Sequence, residues 1–483
     1  MHKQIPASTK LPLRTQLAYG IGAAAFGVKD NGFGFFLLIF YGQVVGLDAG
    51  RVGLAMAIAL VVDALADPIV GYWSDNLHSK WGRRHPFMYA SAVPLAATYY
   101  LIWDPPQGWS QDGLFIYLLS LAILIRILIT LYQTPSSALA PELTPDYDER
   151  ATLISWRVYA QWTGGNAMSV LMFVVLFPMF ATAAIPNGQF NREAYALYGV
   201  IAAVAIFVAI MLSALGTHAR IPQLKAPPPK HTLTPATILK EVRETLSDRS
   251  FAALFIAGLF GAIAAGMSSA MAFYNSTYFW GFTVQQIGLM VLSVFVSAVL
   301  GSLLAPWVTR RFGKRTGAIV VGMIAFIASP MPIFLRLADV MPPNGSPLLF
   351  WIIFPAGLID VSLIICFQIL TTAMMADLVE QSELKTGRRS EGTFVAVSTF
   401  IQKMVSGLGV IAASTILTYA GLKTGAKPAD VPPEVLLRLG AIYAPTLLTF
   451  WMLMMAAIFF YRLERGEHEE NLRKLAERAG SAD

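Results

Sequence analysis

Twelve stretches of this chain stay apolar over roughly 20 residues or more, the length at which a helix crosses a bilayer. They lie at about residues 16–45, 52–75, 86–104, 114–138, 151–180, 193–216, 251–278, 284–308, 316–337, 348–378, 392–420 and 436–461. Hydrocarbon offers no partner to a backbone N–H or C=O, so segments of this kind pair their backbones internally as α-helices. Composition agrees: 56% of the 483 residues are hydrophobic and 13% charged, where a soluble chain carries about 25% charged residues. The expected class is an all-α membrane protein with twelve transmembrane helices. An even number of spans puts both termini on one side. If that side is the cytoplasm, 25 of the 35 Lys and Arg fall in cytoplasmic segments and six in outside loops or at the outer ends of spans, as the excess of basic residues in cytoplasmic loops requires. The other four, Lys29, Arg126, Arg157 and Lys403, fall inside spans.

The longest polar stretch divides the chain. Residues 1–217 form one six-span half and 251–462 the other; 218–250 is a cytoplasmic linker and 463–483 a charged cytoplasmic tail. Within the linker, Pro227–Pro229 is followed by Thr234-Pro235, a helix start, and Ile238, Val242 and Leu246 give one apolar face, so a short helix is expected there. The loops after the second and eighth spans, WGRRHPF and RRFGKR, echo one another. Paired bundles with internal pseudo-symmetry are a common transporter architecture, with the binding site near mid-membrane. The polar N-terminus has no signal-peptide pattern. The net charge of +6 is accounted for by the basic loops and implies no nucleic-acid partner. The single cysteine, Cys366, excludes an internal disulfide, and its apolar surroundings mark it as a small buried residue.

Ionisable residues inside the spans are the functional signal. Eight lie away from the span ends, Lys29, Asp30, Asp63, Asp67, Arg126, Arg157, Asp360 and Lys403, and intramembrane charges line ion or substrate paths more often than not. Asp63 and Asp67 are four residues apart, so on a helix they share a face with Cβ atoms roughly 5–6 Å apart. Each costs on the order of 2.5–3.5 kcal/mol at bilayer depth, so something must offset the pair: a bound cation, a proton, or a buried Arg or Lys. In the fourth span, Arg126, Thr130, Gln133 and Ser137 follow a three-to-four spacing and are expected to share a face, and Gly164-Gly165 in the fifth permits close helix approach. Catalytic patterns such as GxSxG, HExxH and GxxxxGK[ST] do not occur, and the six histidines fall in polar loops or tails. The chain therefore does not read as an enzyme. An intramembrane aspartyl site on Asp63 and Asp67 is the remote alternative, although such dyads take their carboxylates from different elements.

The segment from Asp63 to Phe87, DALADPxxGxxSDxxxxxxGRRHPF, resembles the signature of the glycoside-pentoside-hexuronide:cation symporters, the melibiose-permease branch of the major facilitator superfamily. The resemblance runs through the whole chain. Lys29-Asp30 is similar to the family's Lys-Asp pair, whose Asp binds the sugar; Asp63 and Asp67 match its cation-site carboxylates, and Thr130 its threonine ligand. Arg157 and Lys403 match charged positions lining its cavity. MADLVEQSELKTGRRSEG, from Met375 to Gly392, is close to its second characteristic stretch. Two positions depart: Gln133 stands where melibiose permeases carry a second sugar-binding Asp, and Ala66 where they have an Asn beside the cation site. The sodium-coupled lysophospholipid transporters share the paired acids and are the alternative.

The resemblance implies the major facilitator fold, two six-helix bundles, and a cation-coupled symporter of a glycoside, oligosaccharide or related sugar working by alternating access. Expected substrate residues are Asp30, Lys29, Gln133, Arg157 and Lys403. Asp63, Asp67 and Thr130 would bind the cation, with sodium on the two acids if sodium is the coupling ion and a proton otherwise. Asp75, pairing with Arg83 or Arg84, would form a gate at the end of the second span. No cofactor is expected beyond the coupling cation. Partners are a small-molecule substrate and membrane lipids, for a monomer in the inner membrane with both termini cytoplasmic.

Overall fold

The structure is a computed structural model that describes residues 11–144, 146–224, 249–386 and 391–461, without the side chains of 147, 148, 376, 379–386 and 391–400. The expected linker helix, the C-terminal tail and most side chains between 379 and 392 lie outside the described residues.

The described chain is helical throughout, and its long helices follow the apolar runs. They are α1 (Leu13–Val45), α2 (Ala49–Asn76), α3 (His85–Trp103), α4 (Gln111–Leu143), α5 (Glu149–Met179), α6 (Arg192–His218), α7 (Arg249–Phe279), α8 (Val284–Phe312), α9 (Lys314–Leu337), α10 (Pro347–Thr386), α11 (Glu391–Ala420) and α12 (Pro433–Phe459). Eleven are long and apolar enough to cross a membrane among the described residues; α3 is not counted with them. It has 19 residues and carries His85, two prolines and the Thr98-Tyr99-Tyr100 run. Side-chain caps close several N-termini. Asp48 accepts from the Arg51 amide at the start of α2, and Ser110 from Gly113 at the start of α4. Thr283 and Gln286 form a reciprocal capping box on α8, which satisfies amides that the helix itself leaves unpaired.

The chain divides into two compact units, Met1–Lys230 and His231–Asp483. In each, one helix pair approaches through glycine. A Cβ on Gly27 of α1 would lie 1.8 Å from the Gln161 carbonyl oxygen of α5, and Gly164 and Gly165 pack on Ala24 and Gly27. In the C-terminal unit a Cβ on Gly409 of α11 would lie 2.2 Å from the Ile263 carbonyl oxygen of α7. Small residues at such crossings let backbones reach contact where no hydrophobic force drives helices together. The aromatic side chains do much of the remaining packing. Phe33 and Phe36 are buried, Phe40 stacks on Tyr195 at 4.4 Å, Trp103 meets Tyr198 edge-on at 4.9 Å, and Tyr274 stacks on Tyr278. Cys366 is fully buried. The histidines do not all lie in loops. His85 is enclosed at the start of α3, its Nε2 3.0 Å from the Thr217 hydroxyl, and its ring meets His218 at the end of α6.

Candidate functional site

A row of acids on α2 faces a row of donors on α4 in the N-terminal unit. Asp63 is buried; Arg126 Nη1 donates to its Oδ2 at 3.1 Å and the Thr130 hydroxyl to its Oδ1 at 3.0 Å. One turn further along both helices, the Thr134 hydroxyl donates to Asp67 Oδ1 at 3.4 Å. Asp67 is half-buried. The four-residue step in the acids is thus met by a four-residue step in Arg126, Thr130 and Thr134, as two helices packed along their i±4 ridges allow. The face that meets the acids carries Thr134, while Ser137 is exposed and bonds the Thr134 carbonyl, and Gln133 is half-buried beside the row. Arg126 also lies 5.2 Å from the Phe33 ring, and its Nε–H has no hydrogen-bond partner among the described residues.

Of the three offsets considered for the acid pair, a buried arginine is present at Asp63. Carboxylate and guanidinium are 3% and 5% exposed. Removing one member of such a pair leaves an uncompensated charge and costs about 3–5 kcal/mol, although the intact pair contributes little net stability. The oxygens of Asp63, Asp67, Thr130 and Thr134 form a hard-donor set, and no group of three His, Cys, Asp or Glu able to hold a metal occurs among the described residues. Such a set suits a hard cation or a proton rather than a thiophilic metal.

Lys29 and Asp30 share α1 but not an environment. The Lys29 side chain is fully enclosed, its Nζ 3.3 Å from Asp30 Oδ1 and 4.3 Å from the Phe26 ring centre, while the Asp30 side chain is 58% exposed. On α5, Arg157 donates to the Ser136 hydroxyl at 2.7 Å and lies over the Tyr19 ring. Lys403 is half-buried on α11 in the C-terminal unit.

At the end of α2 the basic loop is resolved into distinct partners. Arg84, not Arg83, pairs with Asp75, at 2.5 Å, and it also donates to the Ser74 hydroxyl. Arg83 goes instead to Glu142, at 2.7 Å, and Arg84 Nε shares the same carboxylate at 3.0 Å. Glu142 and Thr134 are the residues that sequence reasoning missed. A signal existed for the first: the acidic PELTPDYDE segment after α4 complements the GRRH loop. The C-terminal unit repeats the arrangement, with Lys314 from the echoing loop bonded to both oxygens of Asp377 on α10 at 2.6 and 2.8 Å.

The sequence profile of the MFS/sugar transport protein family matches residues 18–465. The putative glycoside/cation symporter YagG of Escherichia coli is 23% identical, over 97% of this chain and 95% of its own. The mouse sphingosine-1-phosphate transporter MFSD2B is 28% identical, over 88% and 85%. Among solved structures, a bacterial homolog of the human lysosomal transporter Spinster superposes with a TM-score of 0.61 at 15% identity, covering 93% of this chain and 95% of that one. These matches and the helical spans make the fold that of the major facilitators, twelve helices in two six-helix bundles, in an integral, multi-pass membrane protein.

Proposed function

The chain belongs to the MFS/sugar transport protein family, and we propose that within it the protein is a cation-coupled symporter of a glycoside, oligosaccharide or related sugar, working by alternating access in the inner membrane as a monomer with cytoplasmic termini. The observation that carries this reading is the Asp63–Arg126 pair with Thr130, Thr134 and Asp67 alongside. A cation settling between the two acids competes with Arg126 for Asp63. Arg126 holds the acid neutral when the cation is away and is released when it arrives, so cation binding and the packing of α2 on α4 become one equilibrium. An arginine with a donor to spare suits that exchange. Sodium and proton both fit a site of this kind, and Ala66, which offers no side-chain oxygen, keeps the proton in play.

Asp30 is the proposed substrate anchor. Lys29, enclosed and bonded to one of its oxygens, orients the carboxylate and leaves the other oxygen for sugar hydroxyls. Gln133, Arg157 and Lys403 are proposed as further substrate contacts, and Asp75, Arg84, Arg83 and Glu142 as a latch. A second reading, an amphiphile such as a lysophospholipid as substrate, is favoured by Gln133, a neutral amide, and by similarity to a sphingosine-1-phosphate transporter. Thermal-shift screening of the purified protein against glycosides and lysolipids, with and without sodium, separates the two readings. Calorimetry on Asp30→Asn then tests the anchor. Loss of charge-assisted bonds worth about 1.5–3 kcal/mol each weakens substrate affinity by about tenfold or more and leaves cation binding intact. Unchanged substrate affinity would remove Asp30 from the site.

A further inference from the structure

The C-terminal unit holds an intramembrane acid for which the coupling scheme has no use. Asp360 lies mid-way along the apolar span Pro347–Met375 of α10, roughly 20 Å from the start of the helix at 1.5 Å per residue. Its Oδ1 is buried without a hydrogen-bond partner. Ser329 borders the same cavity as the carboxylate, and no Lys or Arg among the described residues is paired with it. A carboxylate at that depth demands a neutralising partner, and no basic side chain among the described residues is paired with it.

What it has provided is oxygen. Asp360 borders a cavity of about 150 Å3 whose wall includes Asn275, Ala328, Ser329, Gly357 and Tyr443. Two breaks in helical backbone meet here. Asn275 opens the π-helical segment Asn275–Phe279 that ends α7, and such segments recur at functional sites. On the other side α9 is interrupted between Ala328 and Met331 by Ser329-Pro330. Neither Pro330 nor Pro332 has an N–H, so the carbonyls of Phe326 and Ala328 lose their usual helical donors. The Ile333 amide, which would serve Ser329 in a continuous helix, bonds Pro330 instead. The sequence Ser329-Pro-Met-Pro332 therefore frees backbone oxygens at residues that line the cavity. Unwound carbonyls of this kind coordinate monovalent cations in discontinuous transporter helices.

We infer that the Asp360 cavity is a second monovalent-cation site, for a sodium ion, built wholly within the C-terminal unit. A single negative charge balances a single positive one. Carboxylate, amide, hydroxyl and carbonyl oxygens are hard donors that disfavour soft metals. The inference does not depend on sugar transport or on the Asp63 cluster.

Radiosodium binding to the purified full-length protein at fixed pH tests it. The wild type should bind a sodium ion that Asp63→Asn leaves in place and Asp360→Asn loses. Ser329→Ala, which keeps the carboxylate and removes one ligand oxygen, should weaken that ion's affinity about tenfold and serves if Asp360→Asn fails to fold. Sodium stoichiometry and affinity unchanged in both Asp360→Asn and Ser329→Ala would overturn the site, as would no sodium binding by the wild type. Sodium lost only in Asp63→Asn would overturn it as well, while leaving the proposed coupling site standing. Sodium lost only in the Asp360 and Ser329 variants would support it and leave the proton as the occupant of the Asp63 cluster.

Discussion

Asp63 and Asp360 are both intramembrane carboxylates, one in each unit, and they are neutralised by opposite strategies. Asp63 has a guanidinium at 3.1 Å and a hydroxyl at 3.0 Å. Asp360 has neutral oxygen neighbours and a cavity. The contrast shows that a buried acid in one of these units cannot be assigned a role from depth alone. An acid already paired can serve as an exchange point, where a ligand must displace a side chain. An acid with no basic partner among the described residues leaves its charge for a ligand to balance directly. The two therefore respond differently to neutralisation.

The largest effect is expected at Asp63. Asp63→Asn strands Arg126 in the interior and should lower stability by about 3–5 kcal/mol, read as a fall in melting temperature in detergent, together with loss of uphill accumulation in vesicles. The double variant Asp63→Asn/Arg126→Gln should recover much of the stability but not the accumulation; recovery of both would reduce the pair to a structural brace. Next comes Glu142, which accepts from Arg83 and Arg84. Glu142→Gln weakens two charge-assisted bonds to neutral ones, about 1 kcal/mol each, and the melting curve should shift accordingly, with unchanged melting showing that the latch carries no load. Asp360→Asn should move stability the other way. Without sodium, removing an unpaired buried charge should raise the melting temperature by the equivalent of about 1–3 kcal/mol, and a fall like that of Asp63→Asn would erase the distinction between the two acids. The smallest effect is expected for Thr134→Ala, where one neutral donor at 3.4 Å is lost. About 0.5–1.5 kcal/mol should appear chiefly in cation affinity, and cation binding indifferent to this change would confine the site to Asp63 and Thr130.

Much of the site could be read before any coordinates. The acid pair, Thr130 and Lys29-Asp30 stand out because charged and hydroxyl side chains are rare in apolar runs. The α4 face was only half legible. Three- and four-residue steps both follow a helix, and which of Gln133, Ser137 or Thr134 meets α2 depends on how α2 packs against α4. Glu142 was not singled out because it lies beyond the apolar run 114–138 among ordinary polar residues, and only the return of the α2–α3 loop onto it gives it two arginines. Asp75 had two candidate partners of equal standing in the sequence, and packing gave Asp75 to Arg84 and Glu142 to both arginines.

Local chemistry determined which segments are helices and that they span a membrane. The hydrocarbon forces each segment to satisfy its own backbone, and that requirement is written residue by residue in the apolar runs. The division into two halves and the location of the buried charges follow from the same pattern. Tertiary structure alone decided the pairings: Arg126 with Asp63, Thr134 with Asp67, Lys314 with Asp377, and Asp360 with the broken turn at Ser329-Pro330. The reason is geometric. An ion pair or a cavity between helices depends on their relative rotation and axial register, which side chains fix collectively through packing and which no local period encodes.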